Sequence, residues 1–363
     1  MKYIPQLDSI RALSILLVII SHWFPQDTLL YDIAETINAP NIFFTISGFL
    51  ITKILISDRL KAERAGFGKK VIFKNFYIKR ILRIFPGYYL LLMIVFFLNH
   101  FEKIDYVYYL TFTSNIHIFQ TGVWGQITHL WTMAVEEQFY LVWPWVILFV
   151  SIRKLPFVMC LFLLTGVVSQ YFGKNPEFFP ILTFTCLDAL SLGALLAWVI
   201  MVKPELLVKT YPFITIAAII SASTLLLHIF YSGFYYLPNR TLAAIITIFI
   251  ISYFSINGNK NTYGSFVFRN KTLIQMGKMS YGIYLFHHIL LYYTQKPFFH
   301  LNKQLPFSDS IKYNHYLFLA ENFCLLMIIA TLSWKYFEQP IQNLKNRLKT
   351  PVLVSDNPAT LSQ

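Results

Sequence analysis

Charge is scarce in this chain, and acid is scarcer than base. Only 13% of the 363 residues are Asp, Glu, Lys or Arg, against 56% hydrophobic and 18% aromatic. That balance excludes an ordinary soluble domain and a disordered chain alike. Cysteine is nearly missing: Cys160, Cys186 and Cys324 all fall inside apolar runs at unrelated spacings. They form neither a disulfide framework nor a metal-binding pattern and read as small apolar residues. No internal repeat, low-complexity segment or appended soluble domain is visible. The first apolar run contains Arg11 and is not followed by a small-residue cleavage pattern, so a retained helix is expected and not a signal peptide.

What the chain has is long apolar runs, each of roughly 17–20 residues and long enough to cross about 30 Å of hydrocarbon. Spans are expected near Leu7–Phe24, Asn41–Ser57, Ile84–Asn99, Phe139–Ile152, Leu155–Phe172, Ile181–Met201, Tyr211–Tyr231, Thr241–Ile256, Met279–Gln295 and Tyr316–Phe337. The fold class is therefore all-α, a polytopic membrane bundle of about ten helices in one domain, residues 1–340, with a flexible tail at 341–363. Asp105–Gln120 is aromatic but broken by Thr, Ser, Asn and His, and reads as an interfacial or re-entrant piece.

Loop charge sets the orientation. Lys53–Arg83 holds ten basic residues against Asp58 and Glu63, whereas Pro25–Pro40 holds Asp27, Asp32 and Glu35 and no Lys or Arg. Basic loops are retained in the cytoplasm, so an even number of spans puts both termini there. Lys296–His315, mildly basic on the outer side, is an exception. The net charge of +13 belongs to these inner loops, which fits a membrane surface and leaves no basic soluble domain to bind nucleic acid.

Ionisable groups at membrane depth are costly and usually face the bundle interior. Arg11 and His22 are about three turns apart, on one face with Ser14 and Val18 and roughly 16 Å apart along the axis. Either they line a cavity, or Arg11 snorkels to the inner headgroups and His22 sits in the outer interface. In "HLWTMAVEEQFY", His129 and Glu136 share a face if the helix starts at or before His129, pairing an imidazole with a carboxylate; alternatively Glu136 and Glu137 only complement a helix dipole. Arg80 and Arg83, one turn apart beside Lys79 and just before the third span, suit two phosphates or an ordinary inner flank. Ser280, Tyr284 and His287 form a polar stripe. Asp188 and Glu338 are isolated acids, and Ser47 and Gly48 allow close helix approach.

Together these stretches resemble the acyltransferase-3 family, integral membrane acyltransferases that modify bacterial surface polysaccharides and related glycans. The family's basic residue followed by histidine falls on Arg11 and His22. Its phenylalanine-rich serine-glycine motif falls on Phe43, Phe44, Ser47 and Gly48, and its paired arginines on Arg80 and Arg83. His129, Leu130, Trp131 and Glu136 to Tyr140 match a fourth motif, and Ser280, Tyr281, Tyr284 and His287 a fifth. Thr132 departs from the family's usual serine but keeps a hydroxyl.

The resemblance implies a bacterial inner-membrane, multi-pass enzyme that moves an acyl group, acetyl first, from acyl-CoA to a sugar hydroxyl of a polysaccharide, lipopolysaccharide or lipid-linked glycan. No tightly bound cofactor and no metal are implied. His22 would be the general base, Glu136 the group that orients its imidazolium, and Arg11 a residue that positions the donor or holds the cavity stripe. Arg80, Arg83, Ser47, Tyr284 and His287 would contact acyl-CoA. Tyr284 or Ser280 is a candidate donor to the oxyanion, although the inferred depths put both in the cytoplasmic half, away from His22. Fused family members carry an extra span and an extracytoplasmic esterase-like domain; neither is expected here, so the chain is expected either to complete transfer alone or to pass the acyl group to a separate extracytoplasmic transferase. A glycan or metabolite transporter or flippase is the competing class, with no internal symmetry to support it.

Overall fold

The computed structural model describes residues 4–346 apart from 100–101, 173–176, 232–237, 259–263, 305, 307, 309 and 311–313. The described residues form helices joined by turns. In chain order they are α1 (Gln6–Trp23), α2 (Leu29–Ile37), α3 (Ala39–Ala65), α4 (Lys69–Leu98), the short α5 (Tyr106–Leu110) and α6 (Ser114–Thr121), and α7 (Trp131–Phe149). They continue with α8 (Leu155–Phe172), α9 (Leu187–Val202), α10 (Pro204–Phe230), α11 (Asn239–Asn257), the short α12 (Ser265–Phe268) and α13 (Lys271–Lys278), α14 (Ser280–Lys303), α15 (His315–Ser333) and α16 (Gln339–Asn343). Each of the ten expected spans is found as a helix, and the Asp105–Gln120 piece as the short α5 and α6. Of the tail, 347–363 lies outside the described residues, as do Lys260 and Lys312 of the loops.

Helices follow from the solvent: in hydrocarbon every backbone N–H and C=O must be satisfied within its own segment. Among the described residues, seven stretches are long and apolar enough to cross a membrane, α4, α8, α10 and α11 among them, and the protein is a multi-pass membrane protein. α1, α7 and α14 are 18, 19 and 24 residues long but do not meet that test of apolarity. They carry Arg11, His22, Glu136, Ser280, Tyr284 and His287, of which Ser280 and His287 are buried. By contrast only 17% of the most apolar window is buried in α8 and in α10, which turn their other faces outward. The interior is not reserved for polar helices, since the apolar stretches Leu29–Ala65 and Thr183–Val202 are 67% and 61% buried.

One close helix approach that bears on the site is between α3 and α9. A Cβ on Gly48 would lie 2.0 Å from the Leu190 carbonyl oxygen, and one on Gly193 would lie 2.0 Å from that of Thr45. Reciprocal glycines let the two backbones touch, as small residues do in membrane bundles, and this contact seats the segment that carries Ser47. Trp143, fully buried on α7, donates from its indole to Thr52 Oγ1 at 2.7 Å and ties α7 to α3.

Two boundaries differ from the expectation. α4 begins at Lys69, so Arg80 and Arg83, expected just before a span, lie inside one continuous helix that carries that span. α7 begins at Trp131, and His129 sits before it in a 3₁₀ turn, Thr128–Leu130. A 3₁₀ turn has about 3.0 residues per turn, so His129 and Glu136 do not share one α-helical face.

Candidate functional site

Two helices place three guanidinium groups around one cavity. It has a volume of about 90 Å³ and is lined by Arg11 of α1, Arg80 and Arg83 of α4, Ser47 of α3, Thr132, Glu136 and Tyr140 of α7, and Ser280, Tyr281 and Tyr284 of α14. Glu136 is fixed by two hydroxyl donors, Ser47 Oγ at 2.8 Å and Tyr140 at 2.7 Å. Arg80 lies over the Tyr140 ring at 5.3 Å, and Arg11 is 3.8 Å from Asp8, one turn back on its own helix. Three cations facing one carboxylate make the cavity an anion site in waiting, since guanidinium pairs with phosphate through two parallel N–H bonds.

A wider cavity of about 560 Å³ shares Arg11, Arg83, Ser280 and Tyr281 with the first and adds Gln275, Lys278, Trp334, Lys335, Glu338, Gln339 and Gln342. Trp334–Glu338 is a single π-helical turn that interrupts the end of α15, a local widening common at functional sites. Nearby, burial and the cations Arg83, Lys79 and Arg80 lower the Lys345 ammonium from its ordinary value. The vestibule is therefore polar and predominantly basic, and it leads to the arginine cavity.

Beyond Tyr284 stands a group of four imidazoles. His22 Nδ1 is 2.7 Å from His287 Nε2, with the two rings nearly parallel at 11°. His288 lies edge-on to His22 with centroids 5.1 Å apart, and His129 lies 5.0 Å from His288. His129 and His287 are buried, whereas His22 is exposed. Tyr284 joins this group to the cavity: its ring lies 5.4 Å from His287 and 5.6 Å from His129, and its hydroxyl donates to the His129 carbonyl at 2.5 Å and meets Thr132 Oγ1 at 2.6 Å. Among the described residues, no three His, Cys, Asp or Glu side chains converge as a metal site.

The structure thus divides the residues picked from the sequence. Arg11, Arg80, Arg83, Ser47, Glu136 and Tyr284 share one cavity. His22 and His287 pair with each other on the far side of Tyr284. Glu136 is not beside His22: its hydrogen bonds go to Ser47 and Tyr140, and the group bonded to His22 is His287. His287 does not line the arginine cavity in which a donor contact was expected. Tyr284, expected in the half away from His22, has its ring 5.4 Å from His287, the hydrogen-bond partner of His22, but its one hydroxyl proton is engaged by the His129 carbonyl. The Thr132 hydroxyl lies 2.6 Å from that of Tyr284. Cys186 is more than an apolar filler, since Arg240 donates to its sulfur at 3.0 Å.

Sequence reasoning missed His288, though the doublet "FHH" was its signal, and gave Tyr140, matched at the end of the "EEQFY" stretch, no role. It also missed Trp334 and Lys335, which carry no signal because nothing local announces a π turn.

A family profile described as an acyltransferase domain matches residues 4–336. A protein of Staphylococcus aureus strain COL, provisionally named an O-acetyltransferase, is 28% identical over 388 residues, covering 94% of this chain and 58% of its own length. O-acetyltransferase OatA of Staphylococcus aureus strain NCTC 8325 is 26% identical over 384 residues, covering 94% of this chain and 57% of its own. The chain spans less than two thirds of these relatives. No solved structure matches it.

Proposed function

The chain belongs to the acyltransferase-3 family of integral membrane proteins, and from that premise we propose that it is an O-acyltransferase that moves an acyl group, acetyl first, from acyl-CoA to a hydroxyl of a surface polysaccharide or lipid-linked glycan. The observation that carries the reading is the continuity of three environments: a basic vestibule, a cavity with three arginines, and an imidazole group, joined at Tyr284. A donor with phosphates at one end and a thioester at the other fits that order. Arg80 and Arg83 would hold the phosphates, Arg11 and Ser47 would border the path, and the thioester would end near the histidines.

His22 would act as general base, accepting the proton of the acceptor hydroxyl as its oxygen bonds to the thioester carbonyl carbon. The C–S pair leaves with sulfur, and the proton passes from His22 to the thiolate. A placed base of this kind contributes about 10²–10⁴-fold. Glu136, held by Ser47 and Tyr140, serves as counter-ion and scaffold for the arginine cavity. The loop-charge asymmetry supports a cytoplasmic vestibule with both termini on that side, and the bacterial inner membrane as location. A separate extracytoplasmic transferase as final carrier belongs to the same reading.

The test is transfer of labelled acetyl from acetyl-CoA to glycan by the purified protein in lipid nanodiscs. Wild type should transfer and His22→Ala should not. Full activity in His22→Ala would remove the base assignment, and movement of unmodified glycan indifferent to acetyl-CoA would favour a transporter.

A further inference from the structure

The hydrogen bonds around the imidazoles determine which ring nitrogens carry protons. His287 Nδ1 lies 2.7 Å from the carbonyl oxygen of Tyr284. A carbonyl only accepts, so Nδ1 bears hydrogen and Nε2 of the neutral ring is a lone pair. His22 Nδ1 is 2.7 Å from that Nε2, so His22 must be the donor. The Nε2 of His22 is then left unprotonated.

Its neighbours are set in the same way. His288 Nδ1 faces the Gln126 carbonyl at 2.9 Å, which leaves its Nε2 as a lone pair, and His129 Nε2 faces the Leu285 carbonyl at 3.3 Å, which leaves its Nδ1 as one. Three backbone carbonyls thus fix three tautomers, and none of these rings has a further proton to give His22. His287 itself is fully buried, and the Trp23 indole N–H donates to its carbonyl at 3.1 Å, clamping the end of α1 to α14.

We propose that His287 is a positioning residue: it holds His22 in the Nδ1–H tautomer and so reserves the Nε2 lone pair for the acceptor hydroxyl. This rests on the O-acyltransferase reading of the site. When His22 Nε2 takes the hydroxyl proton, the ring becomes an imidazolium whose Nδ1–H remains bonded to a neutral imidazole. Returning the Nε2 proton to the leaving thiolate restores the starting tautomer. The device does for this histidine what a buried acceptor does in any oriented base, with a neutral partner that is itself anchored to a backbone carbonyl.

Two measurements test it. Ring-nitrogen NMR of full-length protein labelled with ¹⁵N-histidine in nanodiscs, at alkaline pH and with His22 identified by its loss in His22→Gln, should show Nδ1 protonated and Nε2 unprotonated. A protonated Nε2 overturns the proposal without recourse to any variant. In steady-state kinetics, His287→Leu should lower kcat by about 10- to 100-fold, the usual effect of losing an orienting partner, with the KM for acetyl-CoA unchanged. His287→Gln, which offers a carbonyl acceptor, should recover part of the loss. A raised KM with unchanged kcat would overturn the proposal and return His287 to donor binding. If wild type shows the Nδ1–H tautomer but transfers no acyl group, the enzymatic reading fails while the tautomer assignment stands, so the two failures are distinguishable.

Discussion

Gly193 lies on α9, outside the arginine cavity, and replacing it by alanine should still reduce activity. The added Cβ would lie 2.0 Å from the Thr45 carbonyl oxygen and 2.8 Å from the Phe49 nitrogen. A carbon–oxygen contact settles at about 3.3 Å, so α3 has to withdraw by roughly 1.3 Å. Ser47 lies between those two contacts in sequence, and a shift of that size would stretch its 2.8 Å bond to Glu136 to about 4 Å, past the roughly 3.6 Å at which a contact is no longer a hydrogen bond. Overpacking costs about 1–3 kcal/mol, and loss of a hydrogen bond to a charged group about 1.5–3 kcal/mol. Misplacing a site by about 1 Å can lower a rate about 10²-fold. The assay is initial acetyl-transfer rate alongside thermal unfolding in detergent, with Gly68→Ala as control, since a Cβ there meets nothing within 4 Å. Gly193→Ala should lose activity and several degrees of stability while the control does neither. Wild-type rate and Tm in Gly193→Ala would refute the idea that the α3–α9 contact seats the site.

Arginine and lysine differ in what they offer a phosphate, so Arg83→Lys and Arg80→Lys keep the charge but lose the two-pronged fork. Each should raise the KM for acetyl-CoA about tenfold, which corresponds to about 1.4 kcal/mol, and an unchanged KM in both would remove them from phosphate binding. Tyr284→Phe deletes the hydroxyl shared between the His129 carbonyl and Thr132. It should cost about 1 kcal/mol of stability and lower kcat more than it changes KM, because the His129 turn loses its tether. An unaltered kcat would show that Tyr284 does not join the two halves of the site.

Much of the architecture was legible because the membrane imposes it. A run of apolar residues long enough to cross hydrocarbon has one stable backbone conformation there, so all ten expected spans are helices. Boundaries were less legible: α4 extends from Lys69 through a run of Lys and Arg, since a helix need not stop where the lipid does. The polar positions were legible as a set. Arg11, Arg80, Arg83, Ser47, Glu136 and Tyr284 are expensive in lipid, and they do converge.

Which of them meet was another matter. Periodicity gives the face of one helix but neither its partner nor its rotation relative to a helix hundreds of residues away. His22 and Glu136 both looked like interior polar groups, and pairing them was chemically reasonable. Tertiary packing gave Glu136 to Ser47 and Tyr140, and gave His22 to His287, 265 positions along the chain. The 3₁₀ turn at Thr128–Leu130 turned His129 out of the Glu136 face and into the histidines.

By itself, then, the sequence determined a helical membrane bundle and an inventory of costly polar side chains inside it, because both follow from composition against a fixed hydrocarbon thickness. The tertiary structure alone decided that the inventory splits at Tyr284 into an arginine cavity and an imidazole group. It also decided that His22 donates from Nδ1, because hydrogen-bond partners and tautomers depend on distances of a few tenths of an ångström between residues that no local pattern connects.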